Sequence, residues 1–216
     1  MNWAAVLAVT CLIANLQAAD SSSSPAPAAP GKYGQDFSKI PVGDPPDELM
    51  VDGQFAVREE AGNKFLELPG APLETYWLLF GPSTASGFQA QARVWGTKAG
   101  RKQPVFALGL NGQGGFKLRI SPAKQVMELL LGEEVLTTAP FQWQSGEWTT
   151  LRLQVRTVGT GIVAEGKAWQ GAKEPEGWLL KQERSAPLPA GRAGLWGLPF
   201  SGTPLRFDDF QVIPVP

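Results

Sequence analysis

The chain contains no histidine and a single cysteine, and these scarcities exclude several classes of site. Without an imidazole there is no Ser-His-Asp triad and no histidine metal site. The one thiol, Cys11, permits no disulfide within the chain, no four-cysteine zinc site and no iron–sulfur cluster. Acid–base catalysis would therefore need carboxylates, or lysines with strongly lowered pKa values.

The chain also lacks an excess of either charge. Its 19 Lys and Arg residues nearly balance its 20 Asp and Glu residues, which gives a formal charge of -1, and no run of one sign occurs. Nucleic-acid and anionic-membrane binders carry a basic footprint that is missing here, so we expect no nucleic-acid partner. The glycines of residues 109–115 match no phosphate-binding motif, because no G-x-G-x-x-G register and no Gly-Lys-Ser/Thr is present.

The N-terminal residues have the outline of a secretory signal peptide. Residues 3–19 carry no charge, and an apolar stretch from Trp3 to about Ile13 is followed by Ala18 and Ala19. The apolar stretch is too short to span a bilayer stably. We predict a signal peptide over residues 1–19, no membrane span in the mature chain, and a secreted, periplasmic or cell-envelope location.

A Ser/Pro/Ala segment follows the predicted signal peptide. Residues 21–30 read SSSSPAPAAP, which has no apolar periodicity and is typical of a flexible to semi-extended tether. We therefore predict a linker over residues 20–30 and one domain over residues 31–216, a length suited to a β-sandwich.

The rest of the chain is a succession of short segments with alternating apolar and polar residues. Each is closed by Gly, Pro, Asn or Ser, which is the pattern of antiparallel strands, and helical periodicity is scarce. The predicted strands are Glu48–Val51, Gln54–Arg58, Lys64–Leu68, Thr75–Phe80, Gly87–Trp95, Pro104–Leu110, Gly115–Ile120, Val126–Leu131, Glu134–Thr138, Trp148–Arg156, Ile162–Trp169 and Leu205–Ile213.

Two pairs of these strands are joined by strong turn signals. Asn111 and Gly112 can both adopt positive φ and so predict a hairpin between the strands on either side. Residues 131–134, LGEE, predict a second hairpin. In both, the alternation places one face of the strand in a core and the other in water.

The alternation predicts an all-β, antiparallel jelly-roll β-sandwich. One face of the strand over residues 87–95 is apolar, and the other is polar with a terminal indole. The number of strands and the chain length favour a jelly roll over a seven-stranded immunoglobulin sandwich.

Several segments resemble one superfamily. They are residues 35–38 (QDFS), 146–153 (GEWTTLRL), 167–169 (KAW) with Glu174, Pro175 and Trp178, 190–196 (AGRAGLW) and 207–212 (FDDFQV). Together they resemble a secreted bacterial domain of the concanavalin A-like lectin/glucanase superfamily, to which laminin G-like modules and DUF1080 (3-keto-disaccharide hydrolase-like) domains are related. The resemblance implies a jelly-roll fold and structural roles for Trp148, Trp169 and Trp178.

The polar sheet face is the candidate ligand-binding surface. Amide and guanidinium groups bind sugar hydroxyls and an indole contacts the apolar face of a pyranose, with Trp95 as the preferred indole. Small residues at 107 and 109 would leave a groove on this face, and a solvated sheet face without a ligand is the alternative. The candidate binding residues are Gln89, Gln91, Arg93, Trp95, Arg119, Arg152, Glu165 and Lys167, with Lys117, Gln154 and Trp169 on the same predicted face.

A hydrolase would need two facing carboxylates. The Glu-x-Asp-x-x-Glu run of the glucanases in this superfamily is absent. If the protein is an enzyme, its candidate acids are Glu165, Asp208 and Glu128, of which only Glu165 falls in the predicted groove.

The last predicted strand contains two adjacent acids. Phe207 and Phe210 can share a face only if a bulge occurs at Asp208 and Asp209. The resemblance implies a structural Ca²⁺ site formed by Asp36 with Asp208 or Asp209. The alternative is a hydrogen-bonded acid that braces the terminal strand, and we expect no other cofactor.

Three functions remain open from the sequence. The first is a non-catalytic, secreted, lectin-like module that binds a carbohydrate or another polar ligand of the cell envelope. The second is a glycoside-acting hydrolase or lyase of the DUF1080 type. The third is a structural, protein-binding module, which predicts a flat apolar patch in place of a groove.

Overall fold

The computed structural model describes Met1 and residues 31–70, 74–199 and 202–216. The predicted signal peptide and linker therefore lie outside the described residues. The strands are β1 (Tyr33–Gln35), β2 (Met50–Asp52), β3 (Ala56–Glu60), β4 (Asn63–Leu68), β5 (Tyr76–Thr84), β6 (Phe88–Trp95), β7 (Val105–Leu110), β8 (Phe116–Ser121), β9 (Val126–Leu131), β10 (Glu134–Pro140), β11 (Thr149–Val158), β12 (Gly161–Gln170), β13 (Leu180–Arg184), β14 (Gly191–Leu198) and β15 (Leu205–Pro214).

These strands form two antiparallel sheets packed face to face. The first sheet has the order β13-β12-β11-β6-β15-β4-β3, with β1 paired to β15. The second sheet has the order β10-β9-β8-β7-β14-β5-β2. A single 3₁₀ turn over Pro122–Lys124 interrupts the strands of the described chain. The prediction of an all-β antiparallel jelly-roll sandwich is confirmed.

The core lies between the sheets and is made by the apolar alternation. Ala90, Ala92 and Val94 of β6 are fully buried, as are Phe116 and Leu118 of β8. Because successive side chains of a strand point to opposite faces, the polar residues between them project from the outer faces of the sandwich.

All twelve predicted strands are present, and both predicted hairpins are confirmed. Asn111 and Gly112 have φ values of 67° and 74°, and they begin the turn that joins β7 to β8. Leu131 pairs with Glu134 across the two-residue turn that joins β9 to β10.

Three strands, β1, β13 and β14, were not predicted. The most consequential is β14, whose sequence GRAGLWGL contains glycine at three of eight positions. Glycine weakens a strand signal because it contributes no side chain to packing. Here it is needed: a Cβ at Gly197 would lie 2.9 Å from Leu68 Cδ2 and 3.0 Å from Leu205 Cδ1.

The predicted bulge in the last strand is also confirmed. The register of β15 against β6 shifts between Asp208 and Gln211, and Asp209 has a φ of 52°. The extra residue allows Phe207 and Phe210 to be fully buried in the same core. Phe210 contacts Phe37 edge-on at 5.1 Å between ring centroids, which secures the segment after β1.

The described residues contain no helix long and apolar enough to cross a membrane.

The close fit around β14 predicts that Gly197→Ala destabilises the protein. The added methyl would meet the buried side chains of Leu68, Leu205 and Phe207 at 2.9 to 3.1 Å, and overpacking of this kind costs about 1–3 kcal/mol. Gly114→Ala is the matched control, since no atom lies within 4 Å of its added methyl. Urea unfolding should separate the two variants; equal stability would contradict the packing described for β14.

Candidate functional site

A groove crosses the outer face of the second sheet where β14, β7 and β8 run side by side. Ala107 of β7 pairs with Trp196 of β14 on one side and with Arg119 of β8 on the other. The cavity above them measures about 300 Å³. We call it the Trp196 groove; its lining residues are Thr75, Val105, Phe106, Ala107, Lys117, Arg119, Ser121, Lys124, Leu130, Glu133, Trp196, Gly197 and Leu198.

Glycine makes room for the indole of Trp196. Its Cζ3 and Cη2 atoms lie over Gly109 of the neighbouring strand β7 and Gly194 of its own strand β14, where an added Cβ would come within 2.7 Å of the ring. Such a distance is far below van der Waals contact, so any other residue at either position would displace the ring. Trp196 is consequently 8% exposed although it projects from the outer face of the sheet.

A lysine covers the same indole. Lys117 Nζ lies 4.8 Å from the centroid of the Trp196 ring, within the range of a cation–π contact. The same ammonium lies 2.6 Å from Oε1 of Glu133, which stands in the β9–β10 turn. Lys117 is 7% exposed, whereas the Glu133 side chain is 84% exposed.

The buried acid beside the groove is Glu128 of β9. Arg119 Nε donates to its Oε2 at 2.6 Å, Ser121 Oγ donates to the same oxygen at 2.9 Å, and Lys124 Nζ donates to Oε1 at 3.1 Å. Burial by itself disfavours the charged form, but these hydrogen bonds outweigh it and lower the pKa of the Glu128 carboxyl. Glu128 is thus an ionised anchor for Arg119.

The outer face of the first sheet carries most of the sequence-predicted binding residues, and there cations cover the indoles. Arg206 Cζ lies 4.4 Å from the Trp95 ring centroid, and Arg152 Cζ lies 5.2 Å from that of Trp169. Lys167 Nζ lies 5.0 Å from the Trp178 centroid. Trp95, the preferred indole of the sequence analysis, is therefore already in contact with a guanidinium.

Polar groups on this face are also bonded to one another. Arg152 Nε donates to Gln91 Oε1 at 2.8 Å. Gln154 Nε2 and Arg156 Nε donate to Glu165 Oε2 at 2.6 and 2.9 Å. Burial disfavours the charged Glu165 carboxylate, but these two donors outweigh it and lower the pKa of Glu165.

The structure corrects the prediction that all these residues share one face. Gln89, Gln91, Arg93, Trp95, Arg152, Glu165 and Lys167 lie on the outer face of the first sheet, whereas Arg119 lies on the outer face of the second, together with Lys117, Ala107 and Gly109. Alternation indicates which face of its own sheet a residue occupies, but the assignment of strands to sheets depends on long-range pairing.

The sequence analysis also predicted that polar residues on the outer strand faces are exposed to water, and for several of them this is wrong. Lys117, Lys167 and Glu165 are only 5 to 7% exposed, because neighbouring side chains on the same outer face cover their apolar stems.

The three candidate catalytic acids are not brought together. Glu128 lies on the opposite side of the sandwich from Glu165. Asp208 shares the first sheet with Glu165, but β15 and β12 are three strand spacings apart, about 14 Å at the usual spacing. Glycosidase carboxylates stand at most about 9.5 Å apart.

The acids proposed for calcium already have partners within the protein. Arg93 Nη2 lies 3.2 Å from Asp208 Oδ2, and Arg93 Nε lies 2.6 Å from Asp209 Oδ2 without hydrogen-bond alignment, so the two acids share one guanidinium as their ion-pair partner. Asp36 Oδ1 accepts hydrogen bonds from the backbone and hydroxyl of Ser38. Among the described residues, no three acidic, Cys or His side chains are grouped to hold an ion.

Asp208 matches the alternative of an acid that braces the last strand. It is 1% exposed and accepts hydrogen bonds from Asn63, Arg93 and the backbone N–H of Asp209. Burial is the main influence on it and raises the pKa of its carboxyl.

Comparison with solved structures identifies a lectin-like β-sandwich. The carbohydrate-binding module CBM66 from Bacillus subtilis is 12% identical and superposes over 76% of this chain and 93% of its own, with a TM-score of 0.51. The Emp47p carbohydrate recognition domain is 10% identical and superposes over 85% of this chain and 96% of its own, with a TM-score of 0.59. The Emp46p domain is 11% identical in its metal-free form and 12% identical in its potassium-bound form. Both forms superpose over 78% of this chain and 89% of their own, with a TM-score of 0.53.

No family model and no curated protein matches the sequence. At these identities the similarity is one of fold, and the site must be judged from the residues of this chain.

Sequence reasoning missed Trp196 as a groove residue. The only signal was the group of glycines around it in residues 190–197, which would have indicated close approach of a neighbour. A groove at Ala107 and Gly109 was expected, but on a face shared with Trp95, which lies on the other sheet. The cations Lys117 and Arg119 were among the residues singled out.

The low pKa of Glu128 predicts that Glu128→Gln mainly affects stability at neutral pH. Because the pKa is lower in the folded than in the unfolded protein, the ionised carboxylate stabilises the fold above about pH 4.3, the reference value for Glu. That contribution disappears as the pH falls through the folded-state pKa.

The variant should therefore lose about 1–3 kcal/mol near pH 7 and much less near pH 3. Urea unfolding at both pH values is the measurement, with Glu134→Gln in the exposed β10 strand as control. An equal loss at both pH values would show that ionisation of Glu128 is not the source of the stabilisation.

Proposed function

We propose that the protein is a non-catalytic, lectin-like module that binds a carbohydrate in the Trp196 groove. The observation that supports this most is the mixture of surfaces in one cavity. Val105, Leu198 and Trp196 offer apolar contacts for the C–H groups of a sugar ring. Lys117 and Arg119 offer donors for its hydroxyl oxygens, and the Ser121 oxygen, whose own hydrogen is donated to Glu128, can accept from a sugar hydroxyl.

The size of the cavity and its fixed walls suit a small polar ligand. About 300 Å³ lies at the lower end of ligand pockets, enough for one or two sugar rings. Arg119 is held in place by the buried Glu128, and Trp196 by Gly109 and Gly194. Prearranged groups lose little side-chain entropy on binding, which favours affinity.

The fold supports the same function by analogy. Both CBM66 and the Emp47p domain are described as carbohydrate-binding or carbohydrate-recognising proteins. Because many functions share one fold, the similarity supports carbohydrate binding only in general terms. The specific support comes from the residues of the Trp196 groove.

Binding without catalysis fits the placement of the acids. A hydrolase or lyase of the DUF1080 type would need converging carboxylates, and Glu128, Glu165 and Asp208 are kept apart by the sheet order. A flat apolar patch, expected for the structural, protein-binding alternative, differs from the charged groove described here.

We further propose that the module acts outside the cytoplasm, at the cell envelope or in the medium. The support is the sequence of residues 3–19, with its uncharged apolar stretch and paired alanines, and the Ser/Pro/Ala segment that follows.

Filling the groove should weaken binding, and filling the opposite face should not. Ala107→Leu inserts a branched side chain between Trp196 and Arg119. Its matched control is Thr150→Leu, which lies between Arg93 and Trp169 on the outer face of the first sheet. The probes are tetrasaccharides of cellulose, mannan, laminarin, β-galactan and polygalacturonate, measured by calorimetry.

We expect at least one probe to bind the parent, with affinity lowered about tenfold or more in Ala107→Leu and unchanged in Thr150→Leu. Thermal melting checks that both variants fold. Loss of binding in Thr150→Leu alone would move the site to the face predicted from the sequence, and failure of every probe would contradict carbohydrate binding.

A further inference from the structure

The ammonium of Lys117 is a buried charge with an exposed partner. Its side chain is 9% exposed, and the carboxylate 2.6 Å away belongs to Glu133, which is 84% exposed. A buried cation needs a nearby anion, because transfer out of water is costly. An ion pair with such a solvated partner contributes little by itself.

The lysine on the opposite face is a close counterpart with a different environment. Lys167 is also buried and stacks on an indole, that of Trp178. Its ammonium lies 2.6 Å from Glu174 Oε1 and donates to the backbone carbonyl of Pro175 at 2.9 Å. Both partners belong to the segment that follows its own strand, β12, and Glu174 is shared with Arg152.

The groove has a surplus of positive charge. Lys117, Arg119 and Lys124 line it, against the carboxylates of Glu128 and Glu133. Glu128 is occupied by Arg119 and Lys124, so the charge of Lys117 is balanced by Glu133. If the Glu133 side chain rotates into solvent, Lys117 is left as an anion-binding point beside the indole.

We propose, building on the proposed function, that the groove selects acidic oligosaccharides and that a uronic acid carboxylate replaces Glu133 on Lys117. Glu133 already places a carboxylate oxygen 2.6 Å from Lys117 Nζ, which marks the position a ligand carboxylate would take. The apolar side chains of Val105 and Leu198 then lie beside the sugar ring. Glu133 acts as a competing internal anion.

The test compares each acidic sugar with an uncharged derivative of the same backbone. Tetragalacturonate, tetramannuronate and a hyaluronan tetrasaccharide are titrated into the protein, each beside its methyl ester, which keeps the backbone and removes the carboxylate charge. We expect at least one acid to bind about tenfold or more tightly than its ester, and that preference to weaken at high salt.

Four variants locate the preference. Lys117→Met keeps the apolar stem and should abolish the preference for the acid, whereas Lys117→Arg should retain it. Glu133→Gln removes the competing anion and should tighten binding of the acid several-fold but leave the ester unchanged. Lys167→Met is the matched control on the opposite face and should bind as the parent does.

Each contrary outcome has a distinct meaning. Esters or neutral sugars that bind as well as the acids would overturn the acidic selectivity and leave the proposed function intact. Loss of the preference in Lys167→Met, with none in Lys117→Met, would overturn the assignment to Lys117. No binding of any acid while a neutral glycan binds in the groove would overturn this inference alone, and no binding of any sugar would overturn both proposals.

Discussion

The groove exists because two strands of the second sheet carry glycine where one indole must lie. Gly109 and Gly194 receive the far edge of Trp196, and a side chain at either position would occupy the same space. On the inner face of β14, Gly197 leaves room for core leucines and for Phe207. β14 therefore carries glycine on both of its faces, which makes room for the indole on the outer face and for core side chains on the inner face.

The two outer faces of the sandwich use the same chemistry for different ends. On the first sheet, cations stack on indoles and are bound by carboxylates and amides of the same face, as with Arg152, which contacts both Trp169 and Gln91. On the second sheet, Arg119 is fixed by the buried Glu128, while Lys117 is balanced by an exposed Glu133. The first arrangement pairs its cations with groups of the same side of the molecule, whereas the second leaves a cation in a cavity that a ligand can reach.

Most of the fold could be predicted from the sequence because alternation and turn chemistry are local. They indicated twelve strands, the hairpin at Asn111 and Gly112, and the bulge before Phe210. β14 was not predicted because its glycines are required by contacts with residues distant in the sequence, which local patterns do not show. The site was half predicted for the same reason: Arg119 and Arg152 each lie on a polar strand face, but only the pairing of strands shows that these faces are on opposite sides of the molecule.

The most direct test of this account is a nuclear magnetic resonance titration of the indole N–H signals with the oligosaccharide that binds best. Substitution assigns the signals of Trp196 and Trp95, which lie on the outer faces of different sheets. We expect the Trp196 signal to shift with saturation while the Trp95 signal stays in place. A shift of Trp95 with no change at Trp196 would contradict the account, because the ligand would then occupy the first sheet.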